Sequence, residues 1–339
     1  MKCAAHYQEI GVIKGLSKVL PLLAIALALG STSAAAQKIK VGYWTSGFSL
    51  GFGAVMEQMK FAEKEGLDVE WVKFAEVNGP TRAIVSHGID VAFAAPSTAS
   101  MQITGDGVPV KIVLATQILE GQLVVLPGSP IKSPSELKGK KIGMSPPGSA
   151  THAITTAILE NNYGLKPADY SIVPGNEGRL AQFLTQKEID VAAIRSVTIA
   201  QIDEVKPRRI ASIVDEWRKL TKAPAAPILA VTIVHNDYLA KQGQAVAQFI
   251  AAMRKTLEYG AKNPKDVAAI LQKSANMKPD DALAYANQWE GAYMASFEAH
   301  DIASLKRLHQ IAKAAGAVKK DPPDSAFATE PFQRSKQIK

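Results

Sequence analysis

Two copies of one short pattern decide the fold of this chain. GIDVAFAAPSTAS covers residues 88–100, and EIDVAAIRSVTIA covers residues 188–200. Both copies place Ile-Asp-Val-Ala at the start of an apolar run and put hydroxyl residues after it, which is typical of a buried strand that ends in a loop. Only the second copy carries a cation, Arg195. A chance echo of strand-forming residues is the alternative interpretation.

Strand-like and helix-like segments alternate around both copies. Strand patterns occur in KIKVGYW, LDVEWVKF, VKIVLATQ, KIGM and YSIVP, and helical stretches separate most of them. This alternation predicts mostly parallel sheets covered by helices on both faces. Ligands of open α/β sheets bind at the carboxyl edge of the strands. The two loops that follow Ile-Asp-Val-Ala therefore predict a cleft between two α/β units.

Two further expectations concern local structure. Ser133 and Glu136 have the spacing of a capping box, with Pro134 at the first helical position. From Ala245 onward the periodicity predicts an almost wholly helical chain, with breaks at residues 263–264 and 278–279.

The first 36 residues have the order of a secretory signal peptide. Lysines precede the apolar run VLPLLAIALALG, and the small residues STSAAAQ follow it, so we expect cleavage before Gln37 and export. The apolar run is shorter than the roughly 20 residues that span a bilayer. The single cysteine, Cys3, lies in this segment. The mature chain would therefore have neither a disulfide framework nor a cysteine nucleophile.

Charge and composition narrow the classes of function. The chain carries a formal net charge of +8, and its lysines are scattered. A solvated surface explains this charge, with a mild field for small anions as the alternative. Nucleic-acid binding would need a concentrated basic face, which the sequence lacks. The histidines show neither metal-ligand spacing nor a catalytic set, so we expect no metal, no cofactor and no catalytic residues.

The segments KIKVGYWTSG, GPTRAIVSHGIDVAFAAPS, SPIKSPSELKGKKIGMSPPGSATH and GRLAQFLTQKEIDVAAI carry a resemblance. The chain resembles the solute-binding proteins of ABC importers in the sulfonate, taurine and nitrate group, which also includes receptors for thiamine precursors and aromatic acids. Many of these relatives have a tryptophan, often followed by Glu-Pro, where this chain reads Ile194-Arg195-Ser196. Their specific ligands are therefore not transferred to it.

The resemblance implies a two-lobed periplasmic-binding-protein fold of type II. Each lobe would be a mostly parallel sheet flanked by helices, with two crossover strands near residues 117–123 and 224–231. The expected divisions are a signal peptide at 1–36, a discontinuous first lobe at 37–121 and 223–339, and a second lobe at 122–222.

Candidate ligand-binding residues lie at the predicted ends of strands and the starts of helices. Arg195 would clamp a carboxylate or sulfonate at a solvated cleft edge, or it would pair with a surface carboxylate such as Asp190 or Glu204. Ser149 would begin a helix whose free N–H groups favour an anion, or it is an ordinary N-cap. The full set of ligand-binding candidates is Trp44, Thr45, Ser46, Gly79, Pro96, Ser97, Thr98, Gln117, Gly148, Ser149, Ala150, Thr151 and Arg195.

Three functions remain open at this point. The leading hypothesis is a monomeric periplasmic substrate-binding component of an ABC importer, which captures a small organic anion and delivers it to the membrane permease and ATPase complex. The first alternative is an exported sensor that presents its ligand to a receptor kinase. The second is an enzyme similar to the thiamine-pyrimidine synthases. Those enzymes work inside the cell and depend on cysteine-rich motifs, so we expect that this protein is not an enzyme.

Overall fold

The strands of the protein form two separate sheets. The computed structural model describes residues 37–338 except 148, 315 and 317. The predicted signal peptide therefore lies outside the described residues, as does the candidate Gly148. The strands are β1 (Gln37–Trp44), β2 (Leu67–Phe74), β3 (Val91–Pro96), β4 (Val110–Ile118), β5 (Gln122–Val125), β6 (Lys141–Met144), β7 (Ser171–Pro174), β8 (Val191–Ile194), β9 (Arg208–Ser212), β10 (Ile228–His235) and β11 (Tyr293–Ser296).

Most strands of each sheet run in one direction. The first sheet has the order β11-β4-β10-β3-β1-β2, in which β10 and β11 run opposite to the others. The second sheet has the order β7-β6-β8-β5-β9, in which β5 runs opposite. The predicted α/β class, with mostly parallel sheets flanked by helices, is confirmed.

Helices cover both sheets. They are α1 (Gly47–Gln58), α2 (Phe61–Lys64), α3 (Gly79–Val85), α4 (Ser97–Gly105), α5 (Ala150–Tyr163), α6 (Glu177–Thr185), α7 (Ser196–Gln201), α8 (Ile213–Thr221), α9 (Asn236–Lys262), α10 (Pro264–Ala275), α11 (Pro279–Ala286), α12 (Trp289–Ala292), α13 (Ala299–Ala314) and α14 (Glu330–Ser335). No helix of the described part of the chain is long and apolar enough to cross a membrane.

The aspartate of the repeated Ile-Asp-Val-Ala pattern makes the same hydrogen bond in both sheets. The carboxylate of Asp90 accepts a hydrogen bond from the backbone N–H of Lys40 at 2.8 Å, and Asp190 accepts one from Lys141 at 2.8 Å. Each aspartate thus ties its strand to the neighbouring parallel strand. These matching contacts are a physical reason for the repeat and argue against a chance echo.

Apolar side chains alternate between the faces of the second sheet. Leu123 and Val125 join one buried cluster with Val191, whereas Val124 joins a second cluster with Ala192. This alternation is the period of two that a strand imposes, and burial of both faces explains why these strands are apolar throughout. A larger apolar cluster surrounds the first sheet.

One local expectation holds in part and a second was wrong. The chain after Ala245 is mostly helical, with breaks at the expected places, but residues 293–296 form β11, which pairs with β4 at the edge of the first sheet; four residues between helices are too few to show a strand period. The capping box also does not form. Residues 134–136 make only a 3₁₀ turn, and the Glu136 carboxylate accepts from the N–H of Lys132 instead of Ser133.

The chain passes between the sheets twice. It leaves β4 through residues 119–121 to enter β5, and it returns from α8 through residues 222–227 to β10. These passages lie where the resemblance implied crossovers, and the first of them carries Glu120.

Candidate ligand-binding site

A cavity of about 340 Å³ lies where the strands of both sheets end. Trp44 and Pro96 line it from the ends of β1 and β3, and residues 75–78 line it from the loop after β2. From the second sheet, the lining comes from the segments that follow β6, β7 and β8. The cavity therefore occupies the carboxyl edges at which open α/β sheets bind ligands, at the lower end of the usual volume range of about 300–1,000 Å³.

Arg195 lines this cavity and is almost completely buried, at 5 % exposure. Its Nε lies 3.5 Å from Oε1 of Glu177, which makes an ion pair. The sequence-based expectation of a solvated edge was therefore wrong, and the paired carboxylate is neither Asp190 nor Glu204. Burial makes this pairing necessary, because an isolated buried charge is costly.

The pair leaves much of the guanidinium without hydrogen bonds. Among the described residues, Nε and Nη1 of Arg195 have no hydrogen-bond partner, and neither has Oε1 of Glu177. The other carboxylate oxygen of Glu177 is occupied, since it accepts from the backbone N–H of Arg195 at 3.1 Å and from the Thr198 hydroxyl at 2.8 Å. Glu177 is thus fixed by the turn that carries Arg195, and the guanidinium retains donors for a further acceptor.

Arg195 also reaches across to the helix that follows β1. Its guanidinium carbon lies 5.9 Å from the centre of the Phe48 ring. Its Nη1 lies so close to Gly47 that a Cβ built on that glycine would be 2.9 Å away. Arg195 therefore touches elements of both sheets.

Ser149 begins α5 and acts as its N-cap. Its hydroxyl accepts from the N–H of His152 at 3.2 Å and donates to the carbonyl of Pro146 at 2.8 Å. Both functions of the hydroxyl are thus used inside the protein. Burial lowers the pKa of nearby His152 from its usual value of 6.5.

The structure brings seven of the predicted residues together and places five elsewhere. Those that line the cavity are Trp44, Pro96, Gln117, Ser149, Ala150, Thr151 and Arg195. Those that do not line it are Thr45, Ser46, Gly79, Ser97 and Thr98.

Three of the predicted residues outside the cavity are hydrogen-bonded to the backbone or buried inside the fold. The Thr45 hydroxyl donates to the carbonyl of Phe74 at 3.1 Å, and the Ser97 hydroxyl donates to that of Ile228 at 2.7 Å. Thr98 is buried in the first turn of α4. Hydroxyl residues after a strand satisfy the backbone as readily as they bind a ligand, which explains why the sequence pattern did not separate the two roles.

Several lining residues were missed by the sequence analysis. Glu76, Asn78 and Arg82 come from the loop after β2 and from α3, and Asn176 and Glu177 come from the start of α6. Glu76 and Arg82 form an exposed ion pair with each other. The rule that ligands bind after parallel strands could have found them, because each follows β2 or β7. Among the described residues, no cluster of three or more His, Cys, Asp or Glu side chains could hold a metal ion.

These two sheets and the cavity at their carboxyl edges define the class of periplasmic-binding-protein folds. The alkanesulfonate-binding protein SsuA from Xanthomonas axonopodis pv. citri, bound to MOPS, is similar in structure, with a TM-score of 0.73 and 16% sequence identity over 87% of this chain and 99% of that one. The desulfurization enzyme DSZB is also similar, with a TM-score of 0.65 and 12% identity over 89% of this chain and 99% of that one.

The chain belongs to the NMT1/THI5-like family, whose model matches residues 55–267. A Brucella abortus protein named as a binding protein is 25% identical over 237 residues, which are 69% of this chain and 70% of that one. A Haemophilus influenzae protein named as a thiamine biosynthesis protein is 26% identical over 265 residues, 76% of this chain and 80% of that one. The resemblance drawn from the sequence is thereby confirmed.

Proposed function

We propose that this protein is the exported substrate-binding component of an ABC importer and that it binds a small organic acid in the cavity. The acid is a carboxylate or a sulfonate, and the protein, as a monomer, delivers it to a membrane permease and its ATPase. The fold and the relatives named as binding proteins support the class. The observation that carries the ligand chemistry is the buried guanidinium of Arg195, with two nitrogens that have no hydrogen-bond partner among the described residues.

An acid group can complete the hydrogen bonding of Arg195. A guanidinium binds a carboxylate or sulfonate through two parallel N–H donors. Arg195 already lines the cavity and has two nitrogens with no hydrogen-bond partner among the described residues, so it can bind the acid while it keeps its ion pair with Glu177. Glu177 stays held by Thr198 and by the Arg195 backbone while the ligand binds.

The two sheets would form lobes that close around the ligand. In this proposal residues 37–121 and 223–339 make the first lobe and residues 122–222 the second, with hinges at the two passages between the sheets. The ligand would shift the population toward the closed form by its differential affinity for that form. Small-angle scattering should then show a smaller radius of gyration when the protein is saturated with ligand.

Binding, rather than catalysis, is the proposed activity, although one protein of similar fold, DSZB, is named as an enzyme. The described residues contain no cysteine, and none of the described residues that line the cavity pairs a nucleophile with a base through a hydrogen bond. A role as a sensor for a receptor kinase would use the same site. Uptake of the ligand would be compared between cells with and without the membrane permease. Uptake that depends on the permease and on this protein would indicate transport, and uptake that is independent of this protein would indicate sensing.

A thermal-shift screen tests the ligand class. Carboxylates and sulfonates with an apolar body would be compared with their neutral amides or alcohols at equal concentration. A ligand at about 100 times its Kd should stabilise the fold by about 2.7 kcal/mol. Stabilisation by the acids alone is the expected result. Equal stabilisation by the neutral analogues would contradict the proposal.

The proposed location is the periplasm, reached through a cleaved signal peptide. The supporting observation is the order of lysines, apolar run and small residues ahead of Gln37. N-terminal sequencing of exported protein should find Gln37 first, or a residue close to it. Exported protein that retained Met1 would contradict this proposal.

A further inference from the structure

We infer that Gly47 is a positioning residue for Arg195: its missing side chain leaves the space in which the guanidinium seats against the other lobe. This inference rests on the proposed function, because it concerns the residue that would hold the acid group. Arg195 belongs to the second lobe, and the inference is that its position also depends on Gly47 of the first lobe.

The space at Gly47 is occupied by the guanidinium itself. A Cβ at this position would lie 2.9 Å from Nη1 of Arg195 and 3.3 Å from the Trp44 ring. A separation under about 3 Å is shorter than van der Waals contact between such atoms. An alanine would therefore push the guanidinium away, since the end of a flexible side chain moves more readily than backbone.

The backbone at Gly47 is held in place, so it would not yield instead. Its carbonyl accepts a hydrogen bond from the Tyr285 hydroxyl at 3.0 Å. That hydroxyl also accepts from the N–H of Gly51 at 3.1 Å and bonds the Tyr293 hydroxyl at 2.7 Å. Tyr285 and Tyr293 are both buried. This network fixes the first turn of α1 against Arg195.

Displacing the guanidinium would disturb its other contacts. Arg195 is packed between Glu177 and the Phe48 ring and is 5 % exposed. Within the described residues its ion pair is with Glu177. Gly47→Ala should therefore weaken binding of the acid through Arg195, with the alanine never touching the ligand.

Backbone strain has to be separated from this steric effect. Gly47 has a φ of +53°, in the left-handed region where alanine is disfavoured. Gly164 supplies a matched control, because its φ is +69° and a Cβ there would meet nothing within 4 Å. Gly164→Ala thus carries the strain without the obstruction.

The experiment is a double-mutant cycle between Gly47→Ala and the charge-free pair Arg195→Met/Glu177→Gln. The probes are benzoate and benzenesulfonate, with affinity measured by calorimetric titration. Gly47→Ala alone should weaken binding of the better probe about tenfold or more, the range for a lost hydrogen bond to a charged group. In the charge-free background the same substitution should change affinity less than about twofold, because the guanidinium is gone.

A second measurement needs no ligand. Gly47→Ala should lower the melting temperature more than Gly164→Ala in the otherwise unchanged protein. Most of this excess should disappear in the charge-free background, where the Trp44 ring alone remains within 3.4 Å of the new Cβ. If the excess is undiminished there, or if Gly47→Ala behaves as Gly164→Ala does, the inference is overturned. If neither benzoate nor benzenesulfonate binds the unchanged protein, these two aromatic acids are not its ligands. The comparison of melting temperatures then decides the role of Gly47.

Discussion

The Glu120 carboxylate joins the first passage between the sheets to the start of α7, because it accepts hydrogen bonds from Ser196. The Ser196 hydroxyl donates at 2.6 Å and the Ser196 backbone N–H donates at 3.3 Å. Ser196 follows Arg195 directly, so this contact connects a proposed hinge to the proposed clamp. Burial raises the pKa of Glu120 above its usual 4.5, against the lowering effects of Ser196 and Arg195.

Glu120→Gln should therefore stabilise the protein at neutral pH. A carboxyl whose folded-state pKa is raised stabilises the fold below its unfolded pKa and loses this contribution as pH rises through the folded pKa. Glutamine keeps an acceptor oxygen for Ser196 and removes the buried charge. Urea unfolding from pH 4 to 8 should show the advantage of the variant growing with pH. A variant that is less stable at every pH would mean that attraction to Arg195 outweighs burial.

Acid should destabilise the fold through His235. Burial lowers the pKa of its imidazole below 6.5, and the charge of His87 lowers it further, while Asp237 and Asp90 oppose the shift. The centres of the two histidine rings lie 3.9 Å apart. A histidine with a lowered pKa contributes stability that is present above pH 6.5 and is lost as pH falls through the folded pKa.

His87→Asn should reduce this acid sensitivity in part. His87 has a φ of +57°, a conformation that asparagine tolerates, so the substitution removes the second charge without new strain. The free energy of unfolding between pH 8 and pH 5 should fall less in the variant than in the unchanged protein. Identical slopes would show that repulsion between the two rings does not contribute.

Gly260→Ala should destabilise the protein although the residue lies in helix α9. A Cβ there would run into the indole ring of Trp289, whose Nε1 donates to the carbonyl of Leu257 at 3.0 Å. Overpacking of this kind costs about 1–3 kcal/mol. Gly243→Ala, also in α9 with nothing within 4 Å of the new Cβ, should instead be neutral or stabilise by up to about 1 kcal/mol. Equal effects in chemical denaturation would contradict this packing argument.

Ser149→Ala should affect stability more than binding. Loss of an N-cap hydroxyl typically costs about 0.5–2 kcal/mol, and the Ser149 hydroxyl is already used by Pro146 and His152. Denaturation curves and ligand titrations on the same variant measure both effects. If Ser149→Ala lost more affinity than the charge-free variant of Arg195 and Glu177, the anion would bind at the start of α5 instead of at Arg195.

The sequence predicted the fold well because the repeated strands are apolar throughout and the Ile-Asp-Val-Ala pattern occurs in both sheets. It missed β11, whose four residues show no period, and pairing with β4 alone makes them a strand. Arg195 was found as a cation in an apolar stretch. Its partner Glu177 was missed because eighteen positions separate them along the chain, and only the meeting of the segments after β7 and β8 brings them together.

The central claim is that Arg195 binds the acid group of the ligand. Arg195→Ala alone would leave Glu177 buried without its cation, so unfolding could mimic a loss of binding. Arg195→Met/Glu177→Gln removes both charges and keeps an oxygen that can accept from Thr198. Arg179→Ala is the matched control, since Arg179 is exposed on α6 and does not line the cavity.

Calorimetric titration of these proteins with the acid that gives the largest thermal shift is the most direct test. The double variant should bind it about 1.5–3 kcal/mol more weakly, which is roughly ten- to more than hundredfold in Kd, and Arg179→Ala should bind it as the unchanged protein does. A double variant that melts cooperatively and binds the acid within about twofold of the unchanged protein would contradict the claim.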